Sequence, residues 1–352
     1  MIRRATMNDI ARLCGFSKMT VSRALAGRPG VRPEARRIIA TAAKKLRYEV
    51  NWVAQSLNNN RSGVVGVATP WDGLIGSNFL AEIFRGFSRP MDESALELAL
   101  FNTESESFNH GSKLAKLYHQ RKVDGLLVIA PHSDDAFLKT LRRLHVPLVV
   151  VGEGLPDASI CWIACDDSKG ITLVSEHLFS LGHRRIAFIG GPENLNSAAR
   201  RRKAFVDFGR AKALRLPPVY FQTGDYTIRG GREASRRLLK LSDRPTAIVA
   251  ANDITAFGAM ESARQLGISI PDELSITGFD DLPEASERCP SLTTVHQPVR
   301  EMGKKSAKLL LTALAENKLP KGHTKMPVSL VVRDSTGPCR KVKRTVRPKR
   351  VA

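Results

Sequence analysis

Two groups of side chains in this 352-residue chain have the types and spacing to do chemistry. The first is compact: Lys18, Met19, Thr20, Ser22 and Arg23 put two cations, a thioether and two small hydroxyls within six residues. On the exposed side of one helix, such a set can meet phosphates and base edges. The second is dispersed. Asp72 and Asn78, His132 and Asp134, Asn252 and Asp253, and Asp280 and Asp281 each fall just beyond an apolar run. Carboxylate and amide groups suit a hydroxylated small ligand, because they can pair with its hydroxyls in a fork geometry. In two of these pairs one member is better read as a turn or cap residue, and Asp253 and Asp281 take that role. His132 and His296 stand alone near strand ends, where a histidine is more often a satisfied hydrogen-bonder than a ligand contact.

The first group needs a short helix held at a fixed angle, and residues 6–25, TMNDIARLCGFSKMTVSRAL, spell one out. Thr6 caps a first helix, with Asp9 three residues on to complete a capping box. Ile10, Ala11 and Cys14 give that helix an apolar side. Gly15 supplies a left-handed turn, and Ser17 caps a second helix. Val21, Ala24 and Leu25 bury one face of that helix, which leaves the chemical group outward. This is a helix-turn-helix whose second member suits the DNA major groove. Pro33 opens a third helix with Ile38, Ile39, Ala42, Ala43 and Leu46 as its core stripe. Arg32 offers that helix no capping oxygen, and Arg47 follows it where φ > 0 would be strained. Asn51 to Leu57 is a short amphipathic piece, marginal as an isolated helix, that reads as a linker ordered on binding.

Charge points the same way. The formal net charge is +21, which favours a polyanionic partner. Residues 1–61 carry thirteen Lys and Arg against Asp9, Glu34 and Glu49, and Arg340–Arg350 adds seven basic residues with no acid. Segregation of this kind is an electrostatic footprint for nucleic acid. Five scattered cysteines describe neither a disulfide framework nor a zinc site, so reduced thiols are expected. With no signal-like apolar start and no run long enough to span a bilayer, a cytoplasmic protein without a membrane role is expected.

From Gly63 onward the second group needs a different scaffold. Apolar runs at 64–70, 96–102, 125–131, 147–153, 185–191, 246–253 and 274–281 alternate with helical patterns. Near-continuous Val/Ile/Leu strands separated by helices mean parallel sheets covered on both faces, here as two α/β lobes. Ligands in such folds bind at the carboxyl ends of strands, where the dispersed polar residues fall.

In this order and spacing the segments resemble the lactose-repressor (LacI/GalR) family of bacterial transcription regulators. The resemblance rests on DIARLCGFSKMTVSRAL, NWVAQSL at 51–57, HLFSLGHRRIAFIGGP at 177–192, AANDITAFGAM at 250–260, SITGFDD at 275–281, TTVHQP at 293–298 and PVSLVVRDST at 327–336. It implies an all-α helix-turn-helix domain over 1–50 and a hinge helix or linker over 51–61. It also implies an α/β two-lobe core similar to periplasmic binding proteins. One subdomain is expected from 62–163 with 294–325, the other from 164–293 with 326–335, and a disordered basic tail from 336–352. Lys18 and Met19 are then expected at base edges, supported by Thr6, Ser17, Thr20, Ser22 and Arg23. Asn51, Ala54 and Leu57 belong to the hinge, with the leucine as a minor-groove wedge. The implied effector set is Asp72, Asn78, Phe79, His132, Arg201, Asn252, Asp280 and Gln297. Arg202 is left as a solvated neighbour. The implied partners are a pseudo-palindromic double-stranded operator, a second copy of the chain, and a sugar acid or sugar. Val50 and Trp52 depart from the family pattern beside the hinge, and no leucine-heptad helix after Ser335 supports a coiled-coil tetramer.

The recognition segment SKMTVSRAL looks like that of the gluconate-type branch, and Arg200 and Arg201, with His132 and His296 beside them, would suit an anionic ligand, so a sugar acid is expected ahead of a neutral sugar. Two other classes stand against a regulator: an enzyme, or a cytoplasmic sugar-binding protein. No GxxxxGK[ST] loop, GxGxxG fingerprint, GxSxG elbow or HExxH helix is present, and no cofactor is expected. The basic N-terminal segment argues against a simple solute-binding protein.

Overall fold

The structure, a computed structural model, describes residues 5–48, 61–70, 77–103, 112–131, 136–155, 157 and 159–339. Asn51, Ala54, Leu57, Asp72, His132 and Asp134 lie outside these residues, as does the tail beyond Cys339. Residues 336–339, expected in a disordered tail, instead pack on the core: the Gly337 N–H donates to Ser275 Oγ at 3.1 Å and the Cys339 N–H to the Leu181 carbonyl at 2.8 Å. The chain divides into two compact units, Met1–Ser62 and Gly63–Ala352.

The first unit is built on three helices: α1 (Met7–Cys14), α2 (Lys18–Leu25) and α3 (Pro33–Lys45). The Thr6 hydroxyl accepts from the Asp9 N–H while the Asp9 side chain accepts from the Thr6 N–H, which is the capping box of the sequence. Gly15 closes α1 at φ 74°, and Ser17 Oγ accepts from the Thr20 N–H at 3.1 Å to open α2. Ile10, Val21, Ala24, Ile39, Ala42 and Ala43 form the core. Arg32 makes no side-chain cap to α3, and Arg47 takes φ 47°, as the residue types foretold.

The second unit has two lobes. In the first, β1 (Val64–Thr69), β2 (Glu97–Asn102), β3 (Gly125–Ile129), β4 (Leu148–Val151), β5 (Trp162–Cys165) and β11 (His323–Met326) form one parallel sheet in the order β11-β5-β4-β3-β1-β2. Helices α4 (Asn78–Glu93), α5 (Ser112–His119), α6 (Ala136–Arg143) and α12 (Val299–Glu316) belong to it. α4 and α12 cross closely because each brings a glycine to the contact. A Cβ on Gly86 would stand 1.9 Å from the Arg300 carbonyl, and one on Gly303 would stand 2.2 Å from that of Ile83.

In the second lobe β6 (Ile186–Gly190), β7 (Phe221–Thr223), β8 (Ala247–Ala250) and β9 (Ser275–Thr277) run parallel in the order β7-β6-β8-β9. Helices α7 (Asp167–Ser180), α8 (Asn196–Ala211), α9 (Ile228–Leu239), α10 (Asp253–Gln265) and α11 (Pro283–Glu287) accompany it. Two short strands, β10 (Thr294–His296) and β12 (Ser329–Val331), pair antiparallel, and β10 also bridges to the segment that follows β9, through His296 and Asp280.

The seven runs read as strands all form strands. β5, β7, β10, β11 and β12 were not among them: they are three or four residues long, and β11 is half exposed and polar. This moves two crossing points. Residues 164–165, given to the second lobe from the sequence, stay in the first sheet because Lys325 and Met326 pair with Ala164 and Cys165. Residues 294–296, given to the first lobe, join the second through β12 and Asp280.

Candidate functional site

The first unit presents the compact group as the sequence arranged it. Lys18, Met19 and Arg23 are exposed on α2, while Thr20 and Ser22 are half-buried. Met19 keeps 67% of its surface in water, a large apolar exposure on a helix whose opposite side is core. Thr6 and Ser17 are exposed but committed to caps, and Ser17 Oγ also lies 2.9 Å from Thr20 Oγ1. These hydroxyls therefore orient the two helices, and Lys18, Met19 and Arg23 are the groups offered outward.

In the second unit a cavity lies between the lobes. The first lobe contributes Ser77, Phe79, Ala130, Gly152 and Glu153, and the segments after β6, β8 and β9 contribute most of the rest. Of the eight residues expected at an effector, Phe79, Arg201, Asn252, Asp280 and Gln297 line it together. Asn78 does not: its amide hydrogen-bonds Glu284 of α11, across the lobes. Asp72 and His132 lie outside the described residues.

Each polar member is held. The Asn252 Oδ1 accepts from the Thr255 N–H at 2.8 Å, so the residue caps α10 while lining the cavity. Gln297 Nε2 donates to Asp280 Oδ1 at 2.6 Å. Burial pushes the Asp280 carboxyl well above the usual carboxylate range, and the neighbouring Asp253 adds to that. Asp253 accepts from the Leu282 N–H and from the Thr294 hydroxyl, and burial raises it to about 6. Asp281 ties His296 and Arg333 together. Asp253, Asp281 and His296 are therefore structural, as the residue types suggested. Arg202 is exposed and lies over the Phe221 ring.

The arginines differ from expectation. Arg201 donates from Nε to Asp167 Oδ1 at 2.8 Å and from Nη1 to the Ala251 carbonyl at 2.6 Å, and its guanidinium lies 3.7 Å over the Phe279 ring. Arg200 donates to Asp167 Oδ2 at 2.7 and 2.9 Å. One carboxylate thus takes both cations that the sequence offered to an anionic ligand.

Two wall residues had no local sequence signal. Glu153 follows β4 and is 1% exposed. Tyr226 stands at φ 61° beside Gly191, and its hydroxyl is buried. Burial holds that phenol up at about 12, so it remains a donor at neutral pH. A cleft with a carboxyl–amide pair, a buried phenol, an arginine and apolar surfaces from Phe79, Leu195 and Ile254 can bind a small polyhydroxylated ring. Among the described residues no cluster of His, Cys, Asp or Glu could hold a metal ion, and no helix is long and apolar enough to cross a membrane.

Comparison with known proteins finds relatives for both units. Residues 6–51 match the model of bacterial regulatory proteins of the lacI family, and residues 175–336 match a periplasmic binding protein-like domain. The ribose operon repressor of Escherichia coli is 30% identical over 335 residues, covering 94% of this chain and 99% of that one. A lac repressor dimer bound to operator and the anti-inducer ONPF superposes with a TM-score of 0.83 at 27% identity, covering 95% of this chain and all of that one. A LacI family transcriptional regulator from Enterococcus faecium with bound ribose gives 0.69 at 28%, covering 79% of this chain and all of that one. This chain belongs to the LacI family of bacterial transcriptional regulators.

Proposed function

We propose that this protein is a dimeric repressor of carbohydrate-metabolism genes, acting in the cytoplasm on a pseudo-palindromic operator and released or engaged by a sugar bound between its lobes. The observation that carries the DNA half is the outward set on α2, with Lys18, Met19 and Arg23 exposed above a closed three-helix core. In this reading residues 1–50 read DNA and 51–61, with Asn51, Ala54 and Leu57, form the hinge. The lobes hold the effector, and the basic residues from Arg340 to Arg350 add salt-dependent, sequence-independent affinity. Asp72 and His132 remain proposed effector contacts beside Phe79, Arg201, Asn252, Asp280 and Gln297.

The effector is read as a neutral sugar rather than a sugar acid. The anionic reading rested on Arg200 and Arg201, with His132 and His296 beside them; Asp167 is bonded to both arginines, and His296 is bonded to Asp281. Glu153 and Asp280 add carboxyls to the same wall. The ribose bound to the Enterococcus faecium regulator is consistent with this choice. A ligand that prefers one lobe arrangement shifts the population of hinges able to enter DNA, with a coupling of about 1–3 kcal/mol.

The test pairs two measurements on the full chain. A thermal-shift panel of ribose, cellobiose, other neutral sugars and gluconate identifies the effector, since a saturating binder raises the melting temperature. Leu57→Ala then lowers affinity for DNA selected from a random-duplex pool and leaves the thermal shift unchanged. Equal loss of both measurements contradicts the division between hinge and cleft, and a shift with gluconate alone contradicts the neutral-sugar reading.

A further inference from the structure

A second cavity, of about 250 Å³, lies in the second lobe and shares no lining residue with the cleft. Helix α8 serves both. It turns Ser197 and Arg201 toward the cleft, and Ala198, Ala199 and Arg202, about 100° further round the helix, toward this cavity. Phe188 of β6, Glu193 and strand β7 supply most of the remaining wall. The space exists because α8 places two alanines here, and Gly190 and Gly191 at the end of β6 add no side chains. It is smaller than the sites that hold drug-sized ligands and has room for a single substituted ring.

The chemistry of this cavity differs from that of the cleft. Its floor is aromatic: Phe188 stacks on Phe205 with ring centres 5.2 Å apart, and Phe205 meets Phe221 edge to face at 5.8 Å. Arg202 is exposed, with its guanidinium 5.5 Å from the centre of the Phe221 ring. Of the consecutive cations at 200–203, Arg200 and Arg201 are bonded to Asp167 and Lys203 to Asp207, whereas Arg202 has no carboxylate partner among the described residues. A guanidinium over a ring face, with its fork unused, is suited to a carboxylate that extends from a flat apolar body. Glu193 is the acceptor on the wall, and it precedes α8. Arg202 stands six residues beyond Asn196, about 9 Å along the helix axis. Cation and acceptor therefore mark two ends of the cavity, which does not suit an ammonium and a carboxylate carried on one carbon. Gln222 is spent elsewhere, donating to the Val219 carbonyl and accepting from Arg237.

We propose that this cavity is an accessory site for a small aromatic carboxylic acid with a hydrogen-bond donor at its far end, of which a para-hydroxybenzoate is the simplest example. The ring lies against Phe221 in the space beside Ala198 and Ala199, the carboxylate takes the Arg202 fork, and the hydroxyl donates toward Glu193. The site is additional to the sugar-binding cleft and does not depend on that reading, because no residue of the cleft takes part.

Calorimetric titration of the full chain with para-hydroxybenzoate, benzoate and para-hydroxybenzamide tests the site. The hydroxy acid is expected to bind once per chain, roughly tenfold or more tighter than the uncharged amide of the same shape, and several-fold tighter than benzoate. Arg202→Gln abolishes the preference for acid over amide. Ala199→Phe fills the space and abolishes binding; both positions are exposed, so the fold tolerates the changes. Phe79→Ala, in the wall of the cleft, leaves the titration unchanged. No binding of the hydroxy acid up to about 10 mM overturns the proposal, as does equal affinity for acid and amide in the unmutated chain. Binding that survives Ala199→Phe but is lost in Phe79→Ala places the acid in the cleft and overturns it too. The ligand series is decided on the unmutated chain, so a poorly folding variant does not rescue the idea. No sugar enters the measurement, so a blank sugar panel bears on the function reading and not on this site.

Discussion

Arg201 is bonded to Asp167, Nε to Oδ1 at 2.8 Å, and the two side chains are 7% and 1% exposed. The other carboxylate oxygen of Asp167 serves Arg200. Removing one member of a buried pair leaves the other charge without water or partner, at about 3–5 kcal/mol. Asp167→Ala strands the buried Arg201 guanidinium, while Arg200 keeps solvent, Glu153 and the Gly154 carbonyl, and the variant is expected to lower unfolding stability by about that range. Arg202→Ala, one residue along but exposed, is expected to cost less than about 0.5 kcal/mol. Urea unfolding of the two variants checks this, and similar midpoints would show that Asp167 is not the hub described.

Met19 supplies the exposed apolar group on α2. Apolar side chains discriminate thymine methyls in the major groove, whereas lysines on phosphates do not read sequence. Met19→Ala is expected to relax the sequence preference at one position of each half-site, by about 1–3 kcal/mol. Lys18→Ala, if its ammonium lies on phosphate, weakens all duplexes alike and reduces the salt slope by about one. Selection from randomised duplexes at two salt concentrations separates these outcomes. A preference unchanged in Met19→Ala places the methionine away from base edges.

The helix-turn-helix domain carries two correctable faults. α3 starts without a side-chain cap at Arg32, and Arg47 is held at φ 47°. Arg32→Ser supplies an oxygen for the first turn and should add about 1 kcal/mol. Arg47→Gly removes the left-handed penalty at some entropic cost to the unfolded chain, and a gain of a few tenths of a kcal/mol up to about 1 is expected. Thermal unfolding of the full chain, followed by a probe of the helical domain, measures both. If the same variants also weaken DNA binding, these arginines are retained for phosphate contact rather than for folding.

The local devices were legible in the sequence because each is a short-range bargain between neighbours. Thr6 with Asp9, Gly15 and Ser17 announce their caps within four residues, and the Val/Ile/Leu runs announce buried parallel strands. Asn252 and Asp280 were found because they sit at strand ends. Glu153 and Tyr226 were not, because nothing near them in sequence is unusual: Glu153 looks like any polar residue after a strand, and only burial beneath α8 gives it meaning. The same holds for Asp167. It reads as a helix-start acid, and its grip on Arg200 and Arg201 arises from residues more than thirty positions away. Short edge strands such as His323–Met326 escaped for a related reason, since their partners rather than their composition make them strands.

His183 ties the second lobe together at the opposite end of its strands from the cleft. Its Nδ1 lies 2.9 Å from Thr246 Oγ1, and its Nε2 lies 3.0 Å from Ser275 Oγ and 3.1 Å from the Gly337 carbonyl. Burial pulls its acidity below the ordinary histidine value of 6.5, with His177 and Arg184 as nearby like charges. The folded state therefore refuses a proton that the unfolded chain accepts. The resulting stability is present above the unfolded value and is lost as pH falls below it. Glu153, raised to about 7, has the opposite sign and favours the folded state as pH falls through that value. The two limbs oppose each other near neutrality. His183→Gln keeps polar atoms for Thr246 and Ser275 but cannot titrate. It is expected to lower stability by about 1–3 kcal/mol at pH 7.5, through poorer hydrogen bonding. It should also lose less than the unmutated chain between about pH 7 and about pH 5.5, where a neutral histidine becomes a liability. Urea midpoints at three pH values decide it: parallel profiles for the two proteins mean that His183 does not set the acid limb.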